Sequence, residues 1–472
     1  MRLSHTYYNE RIELFDGVYD ADRERQLRTL SRLYNRHIGP ITQVHLERPD
    51  LLDPAMYCGS CNHLPMASVI PDLTVRPSAG DSMSIPGGGK GAGIQQPVLG
   101  AMGELAERLF AILHFQAIVD ELEVGSWKDM IQRGHRALGP DEFHLFADEQ
   151  YQRPGFGFVP FREDTPLRWI RASFLVTGEP VLIPAQLVLL YYKRAAGETM
   201  IGYPTSGGLG FHTNPRRALL HALYEYIERD AVNLRWYCKL APARIKFDLR
   251  EFLASQWHLR HTRIITPSLD GIEVFLNTLD VPIPIFTVTS RDHARSERMF
   301  LGGGGAWSNR DRALAQALFE LGQTRAVLNT YKPGFKHIRA DSKITEMTDF
   351  LDGAVYFGYP ENQPRLAWYF SGPEIGWDDV PSADFADEDA EYDWVIEWLK
   401  ANSLNPIVIN MDNECWPGVS VMRTIVPELT PACVAAHAYL GHPRYYELPR
   451  KLGVSDHRLT FAELNPDPIP FP

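Results

Sequence analysis

The sequence predicts a mixed α/β (α+β) fold in which three loop–helix repeats pack on mixed sheets around a central cleft. Strand-like apolar runs alternate with long helical patterns through the middle of the chain. Gly-rich passages lead into three of those helices, at Gly87–Gly91, Ser206–Gly210 and Gly302–Gly305. The three helices also share one layout. Glu104, Glu225 and Glu320 each stand fifteen residues after a glycine, namely Gly89, Gly210 and Gly305. Three residues further on come Glu107, Glu228 and Gln323, and Arg108 and Arg229 follow directly in the first two. Spacings of three and four place these groups on one face of each helix. The repeats lie about a hundred residues apart, too far for a solenoid, and suit large insertions into one core.

Taken in chain order, Arg23–Tyr34 carries Leu27, Leu30 and Leu33 at spacing three and reads as a helix, followed by a short strand at Ile41–Leu46. The first glycine passage opens into a helix from Pro97 to His114. Strands are expected at Trp169–Thr177, Val181–Ala185 and Leu187–Tyr192. The second repeat helix runs from Pro215 to Tyr237, with Pro215 suited to a first turn and Asn214 to the N-cap. Strands at Ile264–Pro267, Ile272–Asn277 and Ile285–Thr289 precede the third repeat helix, Asn309–Leu328. Beyond it, Asp378–Asp393 reads as an acidic, solvated loop ahead of a helix at Trp394–Ala401. Strands follow at Pro406–Asn410 and Val419–Ile425. The end of the sequence, Pro466–Pro472, holds four prolines in seven residues and is expected to be extended and stiff. The division expected is an N-terminal extension (1–60), a core (61–335) and a C-terminal region (336–472).

With 472 residues the chain is long enough for two or three domains or one large α/β unit. A net charge of −12 argues against a protein that binds a nucleic-acid backbone. No apolar stretch of membrane-spanning length and no signal-peptide pattern is present, and five cysteines do not make a disulfide framework. A cytoplasmic location is expected.

An E-x-x-E-R face on one helix fits a solvated surface, where such pairs contribute a few tenths of a kcal/mol. Two near-identical faces and an E-x-x-Q third, each behind a glycine loop, point instead to a shared cleft. Glutamates converging there would repel one another and raise their pKa values unless a divalent cation neutralises them. Hard oxygen ligands without sulfur or imidazole select Mg2+. Mg2+ beside arginine, lysine and glycine loops suits a nucleoside triphosphate.

These residues resemble the signatures of the YcaO family, S-x-x-E-x-x-E-R, S-x-x-x-E-x-x-E-R and Q-x-x-x-E-x-x-Q. Gln316, Glu320 and Gln323 match the third in full. Glu225, Glu228 and Arg229 match the second, with His221 in place of serine. Glu104, Glu107 and Arg108 match the first, with Ala101 in place of serine, so both positions lack the hydroxyl. The resemblance implies a YcaO-type fold with a central nucleotide cleft. It implies that Glu104, Glu107, Glu225 and Glu228 are Mg2+ ligands. Lys90, Arg108 and Arg229 become phosphate contacts, and Gln316, Glu320, Gln323 and Asn214 belong to the ATP site. Family members that form azoline rings end in a P-x-P-x-P-like segment whose terminal carboxylate lies in the active site. Pro468–Pro472 fits that pattern, so Pro472 joins Glu225 and Glu228 as a catalytic residue.

The implied reaction is an ATP-dependent cyclodehydration. It converts Cys, Ser or Thr of a ribosomally made precursor peptide into thiazoline or oxazoline rings by phosphorylating the amide oxygen. The implied partners are that peptide and an E1-like leader-binding protein, with a flavin-dependent azoline dehydrogenase acting on the rings. The whole is expected to be a hetero-oligomer resembling the microcin-type thiazole/oxazole synthetases. Thioamide or amidine formation, and a non-catalytic nucleotide-binding factor for methylthiolation, are the alternatives. Cys58 and Cys61 form a C-x-x-C beside His63, but no second pair completes a zinc set, so ordinary thiols are expected.

Overall fold

The structure, a computed structural model, describes residues 13–14, 17–18, 21–37, 39–47, 56–63, 87–91, 93–255, 271–292, 298–330 and 337–471. Three long helices dominate it: α1 (Gln95–Ile118), α2 (Pro215–Tyr237) and α3 (Arg310–Thr330). Each follows a glycine-bearing strand, β1 (Gly88–Gly91), β2 (Leu209–His212) and β3 (Arg298–Ala306) respectively.

Local chemistry accounts for the helix starts. Asn214 caps α2, its side-chain oxygen accepting the Arg216 and Arg217 amides, and Pro215 occupies the first turn. The Asn309 side chain accepts the Arg312 amide at 2.9 Å ahead of α3. Phe110 in α1 and Leu220 and Leu223 in α2 are fully buried. Each such side chain contributes about 1.5–3 kcal/mol through removal from water.

Every glycine strand is the edge of a sheet. β1 ends a three-stranded antiparallel sheet with Tyr57–His63 and Ile41–Glu47, which joins residues on either side of position 60. β2 ends a sheet ordered Glu123–Gly125, Leu167–Phe174, Ile407–Asn410, Ser420–Ile425, β2, with Pro180–Pro184 added on Leu167–Phe174. β3 ends a sheet continuing through Ile285–Asp292, Ile272–Leu276, Ala243–Lys246 and Glu374–Gly376. Its last pair is parallel, so the sheet is mixed.

Each edge strand has one glycine whose backbone lies directly against the backbone of its own helix. A Cβ on Gly89, Gly210 or Gly305 would overlap the carbonyl of Pro97, Ala218 or Ala313, eight residues on in every case. Only glycine permits that approach. It is what seats each helix close against its strand.

Several expectations need correction. The Gly87–Gly91 and Gly302–Gly305 passages belong largely to strands rather than loops. Leu187–Tyr192 is not a strand: a short 3-10 turn at Ala185–Leu187 leads into turns, and Tyr191 takes a left-handed φ of 58°. Ile264–Pro267 lies outside the described residues. The acidic stretch is a helix from Glu388 onward, α4 (Glu388–Ala401), with Asp387 as its N-cap. Most of its acids are solvated as expected, and some are paired as well: Arg217 meets Glu388 at 2.7 Å and Arg216 meets Asp389 at 2.6 Å. Buried Glu391 accepts the Tyr224 hydroxyl at 2.8 Å and that of Ser308 as well.

The proline-rich segment is docked. Pro468, Ile469, Pro470 and Phe471 are all buried. Pro472 lies outside the described residues.

Candidate nucleotide and metal site

The cleft is formed by the faces that α1, α2 and α3 turn toward one another. On α3, Gln316, Glu320 and Gln323 are half-buried while most of their neighbours are fully buried, so one stripe at spacings of four and three opens onto the cleft. His221, Glu225 and Arg229 on α2, and Glu104, Glu107 and Arg108 on α1, form the matching stripes.

The stripes meet. The Lys90 ammonium of β1 lies 3.1 Å from Glu320 of α3. Gly88 donates its amide to Glu104 at 2.5 Å, and a Cβ there would crowd the Gln323 amide. A Cβ on Gly304 would overlap the Glu228 carboxylate. The two glycines therefore make room for functional groups, whereas Gly89, Gly210 and Gly305 make room for helix backbone. Arg108 pairs with Glu104, and the Arg229 Nε lies 4.0 Å from Glu225. Gly208 donates its amide to Glu225 at 3.3 Å.

The carboxylates feel one another. Burial pushes the Glu107 carboxyl up to about 8; Glu225 and Glu104 add to this while Arg108 and Arg423 oppose it. Burial raises Glu228 as well, Arg229 and Lys90 working against Glu320 and Glu225. Glu225 moves the same way, again chiefly through burial, with Arg229, the Gly208 amide and Arg423 opposing. Carboxylates that raise one another's pKa values in a half-buried cleft have an unmet demand for positive charge, which a divalent cation fits. Oxygen-only donors match Mg2+, and Lys90, Arg108 and Arg229 flank them as fixed cations for phosphate oxygens.

Some expected residues are elsewhere. Asn214 spends its side chain on the α2 cap and on Glu388 at 3.4 Å, eleven residues or ~16 Å along the helix from Glu225. Gln316 shares the Glu320 face one turn away. His221, at the serine position, is a half-buried neutral imidazole pushed down to about 3 chiefly by desolvation, then by Arg217 and His212. It stacks edge-on with Trp307 at 5.3 Å. Cys58 and Cys61 sit on the Tyr57–His63 strand, where an interval of three turns them to opposite faces. Among the described residues no three His, Cys, Asp or Glu side chains are grouped as a ready-made metal site, neither around these cysteines nor among the cleft glutamates, so Mg2+ would have to draw the carboxylates together.

Two contributors escaped the sequence. Arg423, on Ser420–Ile425, is 3% exposed and donates to the Thr205 carbonyl at 2.8 Å while facing Glu225 and Glu107. Its signal was a lone arginine inside the apolar run Val419–Val426, since a buried charge needs partners. Tyr191 stands beside Arg108 and Glu104 in its left-handed conformation, a strain of about 1–3 kcal/mol for a bulky residue. No periodicity announces it.

Buried, mutually repelling carboxylates ringed by fixed cations, on three helices behind glycine edge strands, define a Mg2+-dependent ATP-binding protein. The chain belongs to the YcaO family: the family described as YcaO cyclodehydratase, ATP- and Mg2+-binding, matches residues 88–430. Solved structures agree on the fold. A heterocyclase in complex with substrate and cofactor superposes with a TM-score of 0.74 at 21% identity, covering 98% of this chain and 60% of that one. YcaO from Methanopyrus kandleri bound with AMPPCP and Mg2+ gives 0.56 at 18% identity, covering 89% and 94%. The E. coli microcin synthetase McbBCD complex gives 0.56 at 14%, covering 93% and 98%. An uncharacterised protein of Methanothermobacter thermautotrophicus is 26% identical over 275 residues, 56% of this chain and 65% of that relative. The chain thus spans under two thirds of both that relative and the heterocyclase. No helix among the described residues is long and apolar enough to cross a membrane.

Proposed function

We propose that this chain is an ATP-hydrolysing cyclodehydratase that closes azoline rings on Cys, Ser or Thr of a precursor peptide. The observation that carries the reading is the convergence of Glu104, Glu107, Glu225, Glu228 and Glu320 from three helices, with Lys90 on Glu320. The heterocyclase likeness and the docked Pro468–Phe471 segment support ring formation over other outcomes of the same fold.

In this reading Glu104, Glu107, Glu225 and Glu228 would hold Mg2+, which would supply positive charge to the triphosphate. Lys90, Arg108 and Arg229 orient the phosphate oxygens, and Gln316, Glu320 and Gln323 complete the nucleotide site. The substrate thiol or hydroxyl attacks the preceding amide carbon and loses its proton. The resulting oxygen takes the phosphoryl group from ATP, releasing ADP. Loss of the amide proton and departure of phosphate then form the C=N bond of the ring. Within this proposal the Pro472 carboxylate is the base that takes a proton during attack or ring closure. Water exclusion and fixed charge are the protein's main contributions.

The microcin synthetase, itself a complex, supports the reading that an E1-like leader-binding partner presents the peptide, with a flavin-dependent dehydrogenase acting afterwards. The test combines the chain, Mg-ATP, a Cys/Ser-rich peptide and the neighbouring-gene partner. Ring closure appears as loss of water by mass, with phosphate released alongside. Fragmentation separates an azoline from an amidine, and exchange of oxygen for sulfur would mark a thioamide. Glu225→Gln or Glu228→Gln should remove both signals together; water loss persisting in either variant would sink the reading.

A further inference from the structure

A proline-rich strand cannot set its own register. Proline lacks an N–H, so no hydrogen-bond ladder fixes which residue stands where. The docked segment solves this with discrete anchors. Asn465 donates its amide to the Tyr237 carbonyl at 2.7 Å, at the end of α2. The buried Trp236 indole donates to the Asp467 carbonyl at 2.9 Å. The Asp467 carboxylate pairs with Arg365, on the short 3-10 turn Gln363–Leu366. At Gly353 a Cβ would overlap the Ile469 carbonyl, so the chain passes through a notch that only glycine leaves open.

Beyond the notch the segment packs into a buried aromatic cluster. The Phe471 ring lies 5.3 Å from that of Tyr369 and 6.4 Å from Trp236. The Tyr369 hydroxyl is 2.6 Å from Thr287 Oγ1 and donates to Asn277 at 3.3 Å. Thr287 stands opposite Gly304 in the sheet, and Gly304 is the residue pressed against Glu228. Trp236 lies eight residues after Glu228 on the same helix. The segment therefore touches the helix that carries Glu228 directly, and is linked to the strand behind Glu228 only through Tyr369 and Thr287.

We propose that the Arg365–Asp467 ion pair is a register clamp, and that Arg365 is a positioning residue for Glu228 although it lies outside the cleft. This rests on the reading of Glu228 as part of the Mg-ATP site. Two features make the pair testable apart from folding. The Arg365 side chain is 53% exposed, so its loss removes a mostly solvated contact. Asp467 is only 13% exposed and keeps its backbone anchor to Trp236 whatever becomes of Arg365.

The experiment uses full-length Arg365→Ala and the charge exchange Arg365→Asp with Asp467→Arg. Phosphate release from Mg-ATP is followed with and without a Cys/Ser-containing peptide, beside nucleotide affinity and thermal midpoint. The clamp predicts kcat lower by about fivefold or more in Arg365→Ala, with KM for ATP changed less than about twofold. The midpoint should move by no more than about 2 °C, and the charge exchange should restore at least about half the lost rate. An unchanged kcat in Arg365→Ala overturns the clamp. So does a loss that follows the midpoint and is not recovered by the exchange. Wild-type protein that fails to bind Mg-ATP would overturn the site reading itself, and the clamp with it.

Discussion

The Lys90 ammonium lies 3.1 Å from the Glu320 carboxylate, tying the edge strand before α1 to the middle of α3. It also faces Glu228 electrostatically, so one cation serves carboxylates from two helices. A triphosphate entering the cleft would share that cation. Lys90→Met should weaken Mg-ATP binding by about 10–100-fold, the scale of one charge-assisted contact of about 1.5–3 kcal/mol. Isothermal titration with Mg-ATP reads this directly. An affinity within about twofold of wild type would mean that Lys90 serves Glu320 alone.

The raised carboxyls set a pH dependence for the metal-free protein. Glu107 moves from its ordinary 4.5 to about 8, so between those values the folded state holds a proton that the unfolded state has released. Its stabilising contribution is full below 4.5 and is lost as pH rises through 8. Glu225 and Glu228 act in the same direction. The desolvated imidazoles oppose them at lower pH: His212 falls to about 4, and His221 and His442 to about 3, from 6.5. Their contribution is complete above 6.5 and is lost as pH falls through 3 to 4. Above 6.5 these carboxyls therefore govern the slope. In EDTA the thermal midpoint should fall from pH 6.5 to pH 8, and saturating Mg2+ should flatten the fall because the cation competes with the protons. A flat or rising midpoint in EDTA would contradict the buried cluster.

Much of this site was legible because it repeats. The spacing of Glu104 from Glu107, and of Glu225 from Glu228, states which helix face they share before any packing is known. Asn214 and Pro215 likewise declare the start of α2, and the cap is where they put it. Asn214 itself shows the limit: the family resemblance adds it to the ATP site, while local geometry spends its side chain on backbone amides. Glycine runs mislead for a related reason. Gly302–Gly305 has little intrinsic strand preference, and becomes strand because α3 packs directly on its backbone. Leu187–Tyr192 failed in the opposite sense, its apolar run fitting a strand that the turn at Tyr191 breaks. Arg423 comes to Glu225 and Glu107 by sheet pairing with β2, a relation between residues some two hundred positions apart that no local window contains.

Adjacent glycines in β3 separate fold from function. Gly304 faces the Glu228 carboxylate and Gly305 faces the Ala313 carbonyl of α3. Neither has a positive φ, so alanine at either position is opposed by space alone. At Gly305 the obstacle is helix backbone, which moves only if α3 lifts from its strand; overpacking of this kind costs about 1–3 kcal/mol or more. At Gly304 the obstacle is the end of a side chain, which can rotate away and leave the fold intact. Gly305→Ala should therefore lower the thermal midpoint markedly. Gly304→Ala should hold its midpoint near wild type while Mg-ATP affinity falls by about tenfold or more, because the displaced carboxylate is one expected to hold the metal. Calorimetric unfolding and Mg-ATP titration on the two variants decide it. If Gly304→Ala lost stability and kept its affinity, Glu228 would not belong to the metal site.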